Sequence, residues 1–234
     1  MIVSRRGTSA VDVQRKLVHG VNVMRISDLS RESGVPVATI KFYLREQLLP
    51  AGQPTGRNQA LYSDRHLRRL RLIRAFTGVA QLDLTSVREL LAVIDDEEMP
   101  LPAVFDAVNE AVGVTVEPPP SLPRSVRVAR DDVDGFLGRL GWNVREEAPG
   151  REELASVLAA LRRLGCDCTM DYFDVYAETA ERVARAELDL LDQDNPDHAA
   201  AVARNVLLEV ALSAMRRMAQ EHLVAERFGA AAAG

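Results

Sequence analysis

Met24-Arg25-Ile26-Ser27-Asp28-Leu29-Ser30, then Gly34-Val35-Pro36-Val37-Ala38-Thr39-Ile40-Lys41-Phe42-Tyr43-Leu44-Arg45, then Leu48-Leu49-Pro50, decide the reading of this chain. Ser27 suits the N-cap of a short helix over 27–33, because its hydroxyl can accept an orphan backbone N–H. Ile26 and Leu29 point that helix at a small core. Gly34 ends it, where a left-handed conformation costs little without a Cβ. Pro36 opens a second helix at a position whose N–H has no helical partner. Val37, Ile40, Leu44 and Leu48 recur at three and four residues, which is one helical face. Thr39, Lys41, Phe42, Tyr43 and Arg45 take the other. Residues 50–60 hold Gly52, Gly56 and Arg57-Asn58 and read as a hairpin tip, followed by a brief strand at Leu61-Tyr62. Two helices across a tight turn, followed by a wing, form a device for placing side chains in the DNA major groove.

Further along, Ser63 is placed to cap a helix over 64–77, with Leu67, Leu70, Ile73 and Phe76 inward and its arginines outward. Asp83 is placed to cap another over 84–95, burying Leu84, Val87, Leu90, Leu91 and Ile94. The acidic run 95–98, with Pro100 and Pro102, interrupts the helical pattern. Residues 101–112 resume it, with Val104, Phe105, Val108 and Val112 on one side. Glu117-Pro118-Pro119-Pro120-Ser121-Leu122-Pro123 cannot be helical and is the clearest linker. Beyond it, helices are expected at 130–140, 151–164, 169–192 and 196–227. Alanine is abundant there and β-branched runs are absent, which disfavours a sheet.

The expected fold is therefore mainly α. A flexible arm over 1–23 precedes a winged helix-turn-helix over 24–95. A connecting helix and Pro-rich linker fill 96–123, and an all-α dimerisation or effector region fills 124–228. The arm carries Arg5, Arg6, Arg15 and Lys16.

Composition narrows the function classes. The chain has 234 residues, 47% hydrophobic and 27% charged, which is enough for a real core in a soluble protein. It lacks a long uncharged apolar run, so no membrane span is expected, and its start does not read as a secretory signal. Cys166 and Cys168 are too close in sequence to staple a fold, which points to the cytoplasm. The net charge of −5 hides an asymmetry. Residues 25–80 carry ten basic side chains against four acidic ones, whereas residues 81–234 carry 15 arginines against 29 acids. A basic segment beside an acidic one suits a local polyanion-binding face on a body that does not bind DNA. A Ser-His-Asp set, a phosphate loop and an HExxH motif are all missing, so an enzyme is not expected.

Ile26, Leu29, Gly34, Val35, Thr39, Ile40, Lys41, Phe42, Tyr43, Leu48, Leu49, Pro50, Arg57, Leu61, Tyr62 and Ser63, in that order and spacing, resemble the MerR family of bacterial transcription regulators. The helix from Asp83 to Leu91 also fits. The resemblance covers residues 24–95. It departs from the usual pattern at Leu44, where a small acidic or polar residue is common, and at Lys41, where arginine is commoner. Lysine there replaces a planar two-pronged contact by a point charge. In the family a long helix after the winged part pairs antiparallel with its mate, and Pro100 and Pro102 interrupt that place here.

The resemblance implies a homodimer on double-stranded DNA, at a pseudo-palindromic operator, with a small-molecule effector and RNA polymerase as further partners and no membrane. Lys41, Tyr43 and Arg45 would meet base edges. Thr39 and the first amides of its helix would meet phosphate. Arg57 and Asn58 would reach from the wing, and Phe42 and Tyr62 divide between DNA contact and core. The alternative is a DNA-bending architectural or recombination-accessory protein using the same winged helix without an effector. No cofactor is expected.

The C-terminal half names no ligand. Tyr172, Phe173 and Tyr176, with Trp142, are candidates to line an apolar pocket, the alternative being ordinary packing. Cys166 and Cys168 are weak candidates for a soft metal or redox chemistry, the alternative being structural thiols.

Overall fold

The structure of the chain is a computed structural model. The structure describes residues 16–18, 21–56, 59–113, 124–191 and 197–228. Two compact units divide the chain, Met1–Gly78 and Val79–Gly234. It is mainly helical, with a helix-turn-helix and small sheet in the first unit and helices alone among the described residues of the second.

In the first unit, β1 (Lys16–Val18), β2 (Val21–Met24), β3 (Gln53–Gly56) and β4 (Gln59–Ser63) form an antiparallel sheet in the order β1-β2-β4-β3. Strands at 16–18 and 21–24 replace the expected stretch without an element. β2 pairs with β4 through Val23↔Ser63 and Met24↔Tyr62, a long-range pairing that local periodicity does not announce. The wing is β3 against β4, Gln53 opposite Leu61. Gly52 leads into it. A Cβ there would stand 2.8 Å from the Leu61 carbonyl oxygen and from the Tyr62 ring, so only glycine allows this approach.

Helices α1 (Ile26–Ser33) and α3 (Asp64–Gly78) pack on β2 and β4 and on each other, and α2 (Val37–Arg45) packs on α1. Helix α1 begins one residue before the expected Ser27 cap. Arg25 is the N-cap, and its backbone N–H donates to Asp28 at 3.3 Å. Pro36 is the N-cap of α2 and not its first helical residue. Leu29, Ile40, Leu48, Leu49, Leu70, Ile73 and Phe76 are at most 1% exposed and make the core. Each such side chain contributes on the order of 1.5–3 kcal/mol of transfer free energy. Helix α2 stops at Arg45, short of the expected 48, because Gln47 takes a left-handed φ of 60°. That reversal brings Leu48 and Leu49 inward, and the Leu49 N–H donates to the Tyr43 carbonyl at 3.1 Å.

In the second unit, α4 (Leu84–Asp95) and α5 (Leu101–Val112) pack on each other and on α9 (His198–Phe228). Asp83 caps α4 as expected, accepting from the Thr85 and Ser86 N–H groups at 2.8 and 2.9 Å. Those bonds favour its anion and lower its pKa. Val104, Val108 and Ala111 of α5 are buried, whereas Phe105 and Val112 are half-buried. The expected linker at 117–123 lies outside the described residues. Helices α6 (Arg124–Leu140) and α7 (Pro149–Arg163) share a core of Ala129, Val133, Phe136, Leu137, Ala155, Leu158 and Ala159. Arg162 donates to Asp132 at 2.7 Å across this pair. A 3-10 turn at Met170–Phe173 leads to α8 (Asp174–Leu188), where one helix over 169–192 was expected. Among the described residues no helix is long and apolar enough to cross a membrane.

Candidate nucleic-acid interface

The turn between α1 and α2 is fixed by two serines. Ser30 Oγ donates to the Val35 carbonyl at 2.7 Å, and Ser33 Oγ to that of Leu29 at 2.6 Å. The Val35 N–H donates back to Ser33 Oγ at 3.2 Å. Gly34 sits between them at φ 67°, and its N–H closes on the Ser30 carbonyl at 2.9 Å. These bonds satisfy backbone groups that the helix ends would leave orphaned, so the angle between the helices is held by local chemistry.

Helix α3 adds two clamps. Arg69 Nε donates to the Leu48 carbonyl at 2.6 Å and Arg74 Nη1 to that of Ser33 at 3.1 Å. From the sequence all the α3 arginines faced outward. Two of them instead brace the two ends of the helix-turn-helix, a role whose only signal is the length of their side chains. Arg68 and Arg71 are exposed.

With Val37, Ile40 and Leu44 turned to the core side, Ala38, Lys41, Phe42 and Arg45 form the opposite ridge of α2, at helical spacing. Lys41 and Arg45 are exposed, and Thr39, Phe42 and Tyr43 half-buried. The Phe42 and Tyr43 rings lie 5.8 Å apart, tilted by 54°. The ridge thus offers two cations one turn apart on a rigid helix, with the half-buried Tyr43 ring on its flank. Arg57 and Asn58, expected at the wing tip, lie outside the described residues.

Tyr62 is 6% exposed and belongs to the core. Its ring meets His66 edge-on at 5.2 Å, and burial raises its pKa. Packing accounts for it. His66 was missed in the sequence. Its Nδ1 accepts from the Ser63 N–H at 3.0 Å, joining the wing to the start of α3. Burial lowers its pKa, and the Arg65 and Arg69 charges act in the same direction.

A family profile described as "MerR HTH family regulatory protein" matches residues 24–93, the stretch just built. A solved structure of a candidate transcriptional regulator from Streptomyces coelicolor A3(2) is 37% identical, covering 88% of this chain and 98% of its own, with a TM-score of 0.66. The chain belongs to the MerR family of helix-turn-helix regulatory proteins. It is a DNA-binding protein of transcription regulation. No curated protein matches it. The family match extends beyond the first compact unit into α4, which packs with α5 and α9.

The candidate effector residues differ in burial. Phe173 is buried in the α6–α7 core and Trp142 packs against that core half-buried, but Tyr172 and Tyr176 are 57% and 46% exposed. The Tyr172, Phe173 and Tyr176 rings stand 5.6 to 6.1 Å apart. The 3-10 turn shifts the helical phase, so Phe173 faces in while its neighbours face out. Cys166 is exposed and Cys168 half-buried. Burial and the adjacent Cys166 raise the Cys168 pKa, which keeps it a thiol. Among the described residues no three His, Cys, Asp or Glu side chains converge as metal ligands would.

Proposed function

We propose that this chain is a homodimeric, sequence-specific regulator that reads a pseudo-palindromic operator and responds to an effector through its helical C-terminal region. The carrying observation is the exposed Lys41–Arg45 ridge on a helix whose opposite face holds Ile40 at 0% exposure. A rigid ridge of this kind suits the major groove. Arg45 can donate in two parallel bonds to guanine O6 and N7, and Lys41 contributes one point charge. Thr39 and the free amides at the start of α2 suit a phosphate, and Tyr43, on the flank of α2 beyond Phe42, is a further candidate contact. Arg57 and Asn58 would extend the footprint from the wing.

Residues 24–95 bind DNA, 96–123 connect, and 124–228 pair subunits or sense. The second unit has a core of its own, which an effector-responsive part requires. RNA polymerase is the natural partner for a regulator that realigns promoter DNA, and the cytoplasm its location.

The test is binding of the purified protein to fragments of its own promoter region, beside Arg45→Ala, across salt. Sequence-selective binding that the variant loses supports the reading. Equal weak binding to any DNA, indifferent to Arg45, refutes it.

A further inference from the structure

Helix α7 ends in a motif that fixes a pair of thiols. After Arg163 the chain reverses at Gly165, at a left-handed φ of 87°. The Gly165 N–H donates to the Arg162 carbonyl at 3.0 Å, and the Cys166 N–H to that of Leu161 at 3.1 Å. This double bond pattern closes many helices on a glycine, and here it holds the Cys166 backbone to the last turn of α7. Two residues on, the Cys168 carbonyl accepts from Arg162 Nε at 3.2 Å. Nη1 of the same guanidinium donates to Asp132 of α6 at 2.7 Å. Both cysteines are therefore anchored to one helix end, with only the exposed Asp167 between them. Their side chains lie close enough to share a hydrogen bond.

The two thiols differ in access. Cys166 is exposed, whereas Cys168 is half-buried and packs against the α6–α7 core. Burial and then the hydrogen bond with Cys166 hold the proton on Cys168, and the Arg162 charge acts the other way. Cys166 is thus the sulfur that a reagent in solution meets first, and Cys168 stands behind it with a cation at hand for its thiolate. Among the described residues no third His, Cys, Asp or Glu converges on the pair as a metal ligand would. The chemistry on offer is that of two sulfurs with each other. An accessible attacking thiol with a second thiol already in place is the arrangement of a dithiol that closes by exchange.

We propose that Cys166 and Cys168 are a redox modification site, where a small-molecule disulfide is reduced and an internal Cys166–Cys168 disulfide forms reversibly. The Cys166 thiolate attacks one sulfur of the small disulfide. That S–S bond breaks, and one small thiolate leaves and takes up a proton from solvent, replacing the one Cys166 gave up. Cys168 then releases its proton to solvent and attacks the Cys166 sulfur. The bond between Cys166 and the small molecule breaks, and the second small thiolate leaves and is protonated. Two electrons have passed from the cysteines to the small disulfide, giving two small thiols and one internal disulfide. The site rests on the end of α7 and holds whether or not the chain reads an operator.

Glutathione disulfide is the probe. The reduced full chain is equilibrated with mixtures of glutathione and its disulfide, quenched in acid, and read by intact mass and by free-thiol count. Wild type loses both thiols together and two hydrogens in mass. It runs as a single chain on a non-reducing gel, with unchanged helical circular dichroism, and dithiothreitol restores both thiols. Cys168→Ser stops at the glutathione adduct on Cys166, and Cys166→Ser forms its adduct about tenfold more slowly. The mixture at half oxidation gives the effective concentration of one thiol at the other. It is about tenfold higher in the native chain than in urea, because α7 holds the pair together. A wild type that stalls at the adduct, cross-links between chains, or closes no more readily than in urea overturns the proposal. Equal adduct rates in the two serine variants overturn the assignment of Cys166 as the attacking sulfur.

Discussion

Arg69 donates its Nε–H to the carbonyl of Leu48 at 2.6 Å, which pins the turn after α2 to the helix behind it. The carbonyl belongs to a residue 1% exposed, so it has little water to turn to. Arg69→Ala is therefore expected to destabilise the protein by about 1–3 kcal/mol through the orphaned acceptor. It is also expected to weaken operator binding, by loosening α2. Urea denaturation and fluorescence anisotropy measure the two effects. A variant as stable as wild type would show that the bond carries no weight.

Exposed residues of the ridge should behave in the opposite way. Arg45→Ala is expected to leave stability within about 0.5 kcal/mol and to cost about 1–3 kcal/mol of operator affinity, with relaxed preference at one base pair. Lys41→Ala should lower affinity more evenly across sequences. A binding-site selection on both variants tells the two apart. Unaltered selection by Arg45→Ala would remove it from base reading.

His66 makes the winged unit sensitive to acid. Its folded pKa lies below the ordinary value of 6.5, so the unfolded chain takes up the proton first as the pH falls. The stability held by neutral His66 is complete above about pH 6.5 and is lost as the pH drops below it. Protonation also ends the acceptance from the Ser63 N–H. The midpoint of thermal unfolding should fall between pH 7.5 and 5.5, and His66→Gln should flatten that fall. Identical pH profiles for the two proteins would assign the sensitivity elsewhere.

Gln47 holds a left-handed φ of 60° at the reversal after α2. For an L-residue this conformation costs roughly 1–2 kcal/mol, part of which glycine returns as unfolded-state entropy. Gln47→Gly should stabilise by roughly 0.5 kcal/mol. Gln47→Val should destabilise by about 1–2 kcal/mol, since a branched side chain tolerates this region worst. Denaturant midpoints of equal value for all three would show that the backbone is free to relax there.

The parts legible in the sequence were those whose cause is local. Gly34 ends α1, Asp83 caps α4 and Ile40 faces inward because helical period and capping act within a few residues. Ser27 misled because the neighbouring Asp28 can reach back just as well, and the chain's path decides between them. Strand β2 was hidden because one of its partners, β4, is distant in sequence. The exposed ridge of α2, with Lys41 and Arg45, was legible from helical period. Its bracing by Arg69, Arg74 and His66 was not, because a side chain's reach depends on what tertiary packing brings near. Tyr172 and Phe173 part company for a similar reason, since a 3-10 turn has a different period from the helix assumed.

The bond between His198 Nδ1 and the Asp96 carbonyl, 2.9 Å long, joins residues 102 apart. It marks where α9 closes on α4 and α5. The order of synthesis then matters. The helix-turn-helix can find its contacts among near neighbours as soon as it emerges, whereas α4 and α5 must wait for the start of α9 before their shared core is complete. During that interval their apolar faces are open to chaperones and to other nascent chains. A ribosome stalled before His198 would release a protein with its reading head formed and its second body unfinished.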